Sequence, residues 1–364
     1  MIRISVPDIG KREIEAVVKV LTSGMVVQGP KVKELEELFA KTAGTKYAVA
    51  VNSGTAALHT ALHSIGIKPG DEIITTPFTF VATANSILMA GAKPVFVDIE
   101  ENSFNIDPKL IERKITKKTK AILVVDLYGQ PANYNEINKI AKKHKLLVIE
   151  DAAQSIGATY HGKPAGSLAD IACFSLYATK NIISGEGGMI TTNNKLFAEN
   201  AKLFRHHGQD EKVRYEYFGL GYNYRMTDIA AAIALQQLRK IKILTGKRQE
   251  IAKKYNLAFR NIKGIITPKV STGMSSVFHQ YTLRITPQFK FNRDKFKDYL
   301  QEKGIQTAIF YPKGLYNFEH LKGNNRPKNF PVTETVSREV LSIPVHPKLT
   351  GQEIKYIIDT ICKI

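Results

Sequence analysis

Apolar residues recur along the first 245 positions in two alternating rhythms. Ile14, Val17, Val18 and Leu21 fall at helical spacing within 10–21, and Val32, Leu35, Leu38 and Phe39 repeat the pattern within 31–43. A further helix is expected over 55–65, ending at Gly66. Between such stretches stand short apolar runs, rich in β-branched residues, at 47–51, 72–75, 94–97, 121–125, 146–149, 171–175 and 189–192. Runs of that length without polar alternation predict strands buried on both faces. Strands separated by helices predict a three-layer α/β domain around a mostly parallel sheet. Helices over 227–240 and 245–262 close this part. Beyond it the rhythm changes, to a strand over 279–284 and a helix over 292–303 that ends at Gly304. The last helix opens with Thr350-Gly-Gln-Glu353, a capping-box sequence. The expected division is a large domain over 1–245 and a smaller α+β domain over 246–364.

Composition narrows the class. A chain of 364 residues with 43% hydrophobic content buries at least one large core. It carries no low-complexity stretch and no apolar run of membrane-span length. The first residues show no signal-peptide pattern. Cys173 and Cys362 lie far apart without metal-ligand spacing, so we expect reduced thiols, no metal and a cytoplasmic protein. The formal charge of +19 raises the question of nucleic acid or an anionic membrane surface. Its lysines are spread along helix faces, as at Lys139, Lys142, Lys143 and Lys145, and no arginine-rich tail or nucleic-acid module accompanies them. The expectation is a lysine-rich soluble surface with neither nucleic acid nor membrane as partner. Such a field also helps to capture a small polyanion such as a nucleotide-sugar.

Candidate chemistry gathers where strands end, which is where open parallel sheets bind ligands. Lys180 follows the 171–175 strand, and Asp151 stands at the end of the 146–149 run. A lysine and a carboxylate at the ends of neighbouring strands are the two groups that pyridoxal phosphate (PLP) requires. The lysine binds its aldehyde and the carboxylate holds the proton on its ring nitrogen. A solvated lysine and a helix-capping aspartate are the plainer alternative. Asn52-Ser-Gly-Thr-Ala56 follows a strand and opens a helix, so its backbone N–H groups and the Thr55 hydroxyl form an anion cup or an ordinary N-cap turn. Phe80 is positioned to stack on a planar ring or to join the core. Ser175 could donate to the same phosphate, and Gln154 to the ring's phenolic oxygen.

Seven stretches carry a resemblance that runs nearly end to end. They are Ser53-Gly-Thr-Ala-Ala-Leu58, Gly91-Ala-Lys-Pro-Val-Phe-Val-Asp98, Glu150-Asp-Ala-Ala-Gln154, 174–180, Arg205-His-His-Gly208, Gly221-Tyr-Asn-Tyr-Arg-Met226 and Ser342-Ile-Pro-Val-His-Pro347. On these the chain resembles the DegT/StrS family of PLP-dependent sugar aminotransferases. The resemblance implies the type I, aspartate-aminotransferase-like PLP fold. It implies Lys180 as the lysine that binds PLP and shuttles the proton, Asp151 as partner of the pyridine nitrogen, Gln154 near the phenolic oxygen and Phe80 as the stacking aromatic. Gly54, Thr55, Ala56 and Ser175 are implied phosphate ligands. Asn223 resembles an asparagine that reaches the phosphate from the neighbouring subunit, which implies a homodimer with shared active sites. Lys180 also separates the chain from the related sugar 3-dehydratases, which carry histidine there.

Many members show a His-Tyr-Pro run followed by Pro-Leu-His. Here the stretch is Phe310-Tyr-Pro-Lys-Gly-Leu-Tyr316, with Phe310 and Tyr316 in place of the histidines and Gly314 in place of the proline. Tyr311, His207 and Arg225 are the remaining candidates for substrate contact, and each has a structural alternative. The expected activity is ping-pong transfer of an amino group from glutamate to a nucleotide-linked keto-sugar, within amino-sugar or polysaccharide biosynthesis. A PLP enzyme acting on another carbonyl, such as a keto-cyclitol, and a basic regulatory or nucleic-acid-binding protein are the competing expectations.

Overall fold

The computed structural model describes residues 1–210, 213, 215–323 and 325–364. Seven strands form one sheet: β1 (Tyr47–Val51), β2 (Glu72–Thr75), β3 (Lys93–Phe96), β4 (Thr119–Val125), β5 (Leu147–Asp151), β6 (Ile171–Ser175) and β7 (Gly188–Thr192). Their order across the sheet is β1-β7-β6-β5-β4-β2-β3. The pairs from β6 through β3 are parallel. β7 alone runs against both its neighbours, so the sheet is mostly parallel as the sequence predicts.

Successive strand residues point to opposite faces, and both faces are covered. Ala121 and Leu123 of β4 join one buried cluster with Ile73, Val49 and Val51. Ile122 and Val124 join another, with Ile74 and Val148. This two-sided burial is why the runs lack polar alternation. The helices that cover the sheet include α1 (Lys11–Ser23), α2 (Pro30–Ala43), α3 (Gly54–Ser64), α4 (Ala82–Met89), α5 (Tyr134–His144), α6 (Lys195–Arg205) and α7 (Asp228–Arg239).

The smaller part pairs β8 (Tyr281–Ile285) with β9 (Val340–Ile343) in antiparallel register. The helices of this part include α8 (Ile241–Phe259), α9 (Arg293–Glu302), α10 (Pro331–Glu339) and α11 (Gly351–Cys362). Thr350 and Glu353 form the expected capping box on α11.

α8 starts at 241, earlier than the sequence pattern suggests, and runs across the 245/246 position. Its Leu244 packs into the core of the large sheet, whereas Ile251, Ala252, Tyr255 and Phe259 pack into that of the small one. The helix thus has two partners in succession, and one continuous rod serves both. The first residues also reach the C-terminal part. Ile2 bridges Ile305, and the Ile4 N–H donates to Gln306 Oε1 at 3.0 Å.

Candidate active site

The ends of β1, β4, β5 and β6 open on one cavity of about 760 Å³. Each strand delivers a different group. After β1, Ser53 caps α3: its Oγ accepts the Ala56 N–H at 3.1 Å, and its carbonyl accepts the Ala57 N–H at 3.0 Å. The N–H groups of Gly54 and Thr55 precede the first internal helix bond and line the cavity, so they form an anion cup at the positive end of α3. Ala56 stands one residue deeper. Its N–H is already engaged by Ser53, and it does not line the cavity.

Glycine at 54 is a packing requirement. A Cβ there would lie 2.8 Å from the Ser175 Cβ. Its absence lets α3 approach the end of β6 and brings the Ser175 hydroxyl beside the cup.

Asp151 ends β5 and is buried. Its Oδ2 accepts from the Thr83 hydroxyl at 2.8 Å, and its Oδ1 from the Ala153 N–H at 3.3 Å. Burial raises the pKa of this carboxyl; the Thr83 and Ala153 bonds and the charge of Lys180 work the other way. Lys180 lines the same cavity. Burial of its amine lowers the pKa to about 8, against the opposing pull of Asp151. A buried carboxylate and a lysine that is readily neutral therefore face one space.

Gln154 is oriented by its neighbours. Its Oε1 accepts the Tyr128 N–H at 2.8 Å, so its amide NH₂ is the end left to donate. Gln154 and Tyr311 line the same cavity. Burial and the charge of Asp151 raise the pKa of the Tyr311 hydroxyl. Phe80 lines the wall with 57% of its surface exposed, a large aromatic face with no core around it.

Three participants escaped the sequence reading. Thr83 supports Asp151 from the first turn of α4. Tyr128, held at φ 57, orients Gln154, and its hydroxyl donates to the Phe310 carbonyl. His279 lines the cavity and pairs through Nδ1 with Asn181 Oδ1 at 3.2 Å; burial, with Lys180 and Arg248 nearby, keeps its pKa well below that of free histidine. The one available signal was the Asp126-Leu-Tyr-Gly129 turn directly after a strand, the same position relative to the sheet as the anion cup.

Asn223, His207 and Arg225 lie outside this cavity. Asn223 is exposed, and its carbonyl accepts from Asn52 Nδ2 at 3.2 Å. Arg225 contacts His206 Nδ1 at 2.7 Å, and His207 is exposed. The segment that carries them also exposes Tyr217, Phe218, Leu220 and Tyr222.

The set fits PLP. The cup and Ser175 suit a phosphate, Phe80 a flat ring, Gln154 a phenolate, Asp151 a pyridinium and Lys180 an aldehyde. Among the described residues no cluster suits a metal ion, and no helix is long and apolar enough to cross a membrane.

Comparison with known proteins agrees with this fit. The sequence model of the DegT/DnrJ/EryC1/StrS aminotransferase family matches residues 7–362. The UDP-2-acetamido-2-deoxy-3-oxo-D-glucuronate aminotransferase of Pseudomonas aeruginosa is 40% identical over 349 residues, covering 95% of this chain and 94% of that protein. GDP-perosamine synthase of Caulobacter vibrioides is 40% identical over 333 residues, covering 91% and 89%. Among solved structures, the PLP form of a Streptococcus pneumoniae protein superposes with a TM-score of 0.94 at 31% identity, covering 100% of this chain and 98% of that one.

Proposed function

The chain belongs to the DegT/DnrJ/EryC1/StrS aminotransferase family, and from that premise we propose that it moves an amino group from glutamate to a nucleotide-linked keto-sugar. It is a PLP-dependent aminotransferase with the type I fold. The observation that carries the reading is the cavity itself, which brings an anion cup, a buried carboxylate and a lysine of lowered pKa together at the strand ends.

Bound there, PLP supplies the electron sink that lets a proton leave the donor's α-carbon. The protein's own groups do the rest. Gly54, Thr55 and Ser175 hold the phosphate and so fix the ring's position. Phe80 covers one face of the ring. Asp151 keeps the proton on the pyridine nitrogen, and Thr83 keeps that carboxylate aimed. The Gln154 amide donates to the phenolic oxygen. Lys180 Nζ, neutral in an appreciable fraction near its pKa of about 8, takes the proton from the donor's α-carbon and returns it in the acceptor half-reaction.

Asn223 supports a homodimer with shared sites. It is exposed, lies away from its own cavity and sits on a segment with exposed aromatic residues, a surface suited to a second copy. His207 and Arg225 share that segment, and in this reading they face the partner's cavity. A cytoplasmic role in amino-sugar or polysaccharide synthesis follows from such a substrate. Relatives of equal identity are named for UDP- and GDP-linked sugars, so the nucleotide is a question for experiment.

The test is spectroscopic. Purified protein incubated with PLP should turn yellow, and Lys180→Ala should abolish that absorbance. Glutamate should bleach the wild type to its pyridoxamine form. UDP-, GDP- and dTDP-linked keto-sugars should then be screened for return of the colour. A wild type that stays colourless with PLP would sink the reading, and bleaching by another amino acid but not by glutamate would replace the donor.

A further inference from the structure

The cavity has a floor, where Lys180 and Asp151 lie, and a lip that includes Phe310, Lys313 and Phe318. We propose that Lys313, held at the lip against Phe318, binds the diphosphate of the nucleotide-linked acceptor. The inference rests on the nucleotide-sugar reading above and carries it to a particular residue.

The departures at 310–316 build this lip. Tyr316 turns inward: its hydroxyl donates to Glu334 Oε1 at 2.7 Å, and its ring stacks on Phe330 with centroids 4.4 Å apart. Gly314 is the counterpart of that turn, because a Cβ there would lie 2.5 Å from Tyr316 Cε1. The Leu315 N–H donates to the Pro77 carbonyl at 2.9 Å. The loop is thus pinned through the Tyr316 side chain and the Leu315 backbone, and Lys313 lines the cavity. Its Nζ sits 4.6 Å from the centroid of the Phe318 ring. That contact steadies the ammonium without neutralising it. Among the described residues Lys313 makes no ion pair.

Charge and distance select the ligand. The residues that line the cavity include two lysines, Lys180 and Lys313, and no arginine; Lys180 is committed to the cofactor. The acidic lining residues are Asp151 and Glu186, so an anionic substrate finds one uncommitted lysine among the lining residues described. An amino-acid donor reacts at its α-carbon and keeps its carboxylates near the floor. A nucleotide-sugar reacts at a ring carbon and carries its diphosphate beyond the ring, toward the lip. Lysine suits that group as a compact point charge for phosphate.

The experiment measures UDP, GDP and dTDP binding to the PLP-loaded enzyme by calorimetry, with the matching nucleosides as controls. For the diphosphate that binds the wild type best, Lys313→Ala should weaken binding about tenfold to a hundredfold, the range for a lost charge-assisted hydrogen bond. Nucleoside binding should change far less, Lys313→Arg should recover most of the loss, and the difference should shrink with added salt. The bound-cofactor absorbance reports that the variant is folded. In turnover, the loss should fall on the acceptor half-reaction far more than on the donor half-reaction. If the wild type binds a nucleoside diphosphate and Lys313→Ala binds it equally well, the assignment of Lys313 is overturned while the nucleotide-sugar reading stands. If the wild type binds none of the three, both fall.

Discussion

Thr83→Val isolates the support beneath the cofactor's ring nitrogen. Valine keeps the shape of threonine but cannot donate, so the change removes the 2.8 Å bond to Asp151 Oδ2 and leaves the 3.3 Å bond from Ala153 as the remaining hydrogen bond to this carboxylate. Hydrogen bonds to charged groups are worth roughly 1.5–3 kcal/mol, and 1.36 kcal/mol corresponds to one pKa unit, so the Asp151 pKa should rise by about one to two units. The sign runs one way. Burial already places this carboxyl above its ordinary value, so its charged form is populated at higher pH and is lost as pH falls through the raised pKa. Losing Thr83 moves that loss to higher pH. Only charged Asp151 can hold the protonated pyridine nitrogen, so cofactor affinity should fall on the acid side first. The assay is PLP release followed by absorbance across a pH series, for wild type and Thr83→Val. The acid limb of the variant should shift upward by about one to two units. Overlapping limbs with equal affinity would refute the coupling between Thr83 and Asp151.

Lys180→Ala should lower turnover by at least about a thousandfold, within the range for loss of a positioned acid–base group, as measured with saturating donor and acceptor. The rate at which the PLP-free protein takes up PLP should climb as pH rises through about 8, because the neutral Lys180 amine attacks the aldehyde; a rate flat across that range would contradict the lowered pKa. Gly54→Ala should cost about 1–3 kcal/mol by overpacking against Ser175 and should weaken PLP binding as well, readable by thermal melts and cofactor titration. Gly314→Ala should destabilise the fold in the wild type but much less in a Tyr316→Ala background, because the clash is with the Tyr316 ring.

The large sheet was legible because buried strands and amphipathic helices impose different periods on the chain. The runs at 47–51 and 72–75 coincide with β1 and β2. α8 was harder to read. Its apolar residues serve two cores in succession, so a single rod looks like a gap between two helices. Lys180 and Asp151 were legible for a related reason. The backbone pattern shows where a strand ends; Asp151 closes β5, Lys180 follows β6 by five residues, and both line the cavity.

Thr83, Tyr128 and His279 were not legible, because each acts through a contact between segments far apart in sequence. Thr83 meets Asp151 across 68 positions, and Tyr128 meets Gln154 across 26. Asn223 is the opposite case: its expected role came from resemblance, and on one chain it does not line the cavity. The lip joins both kinds. Phe310, Gly314 and Tyr316 could be read as departures from a family pattern, but their meaning depended on where the Tyr316 ring goes. It turns into the core against Phe330 and Glu334, which removes it from the cavity and leaves Lys313 as the charged group that this loop gives the cavity. A change that reads as the loss of a substrate contact at 316 is therefore also the gain of an anchor, and that anchor determines which neighbouring side chain meets the substrate.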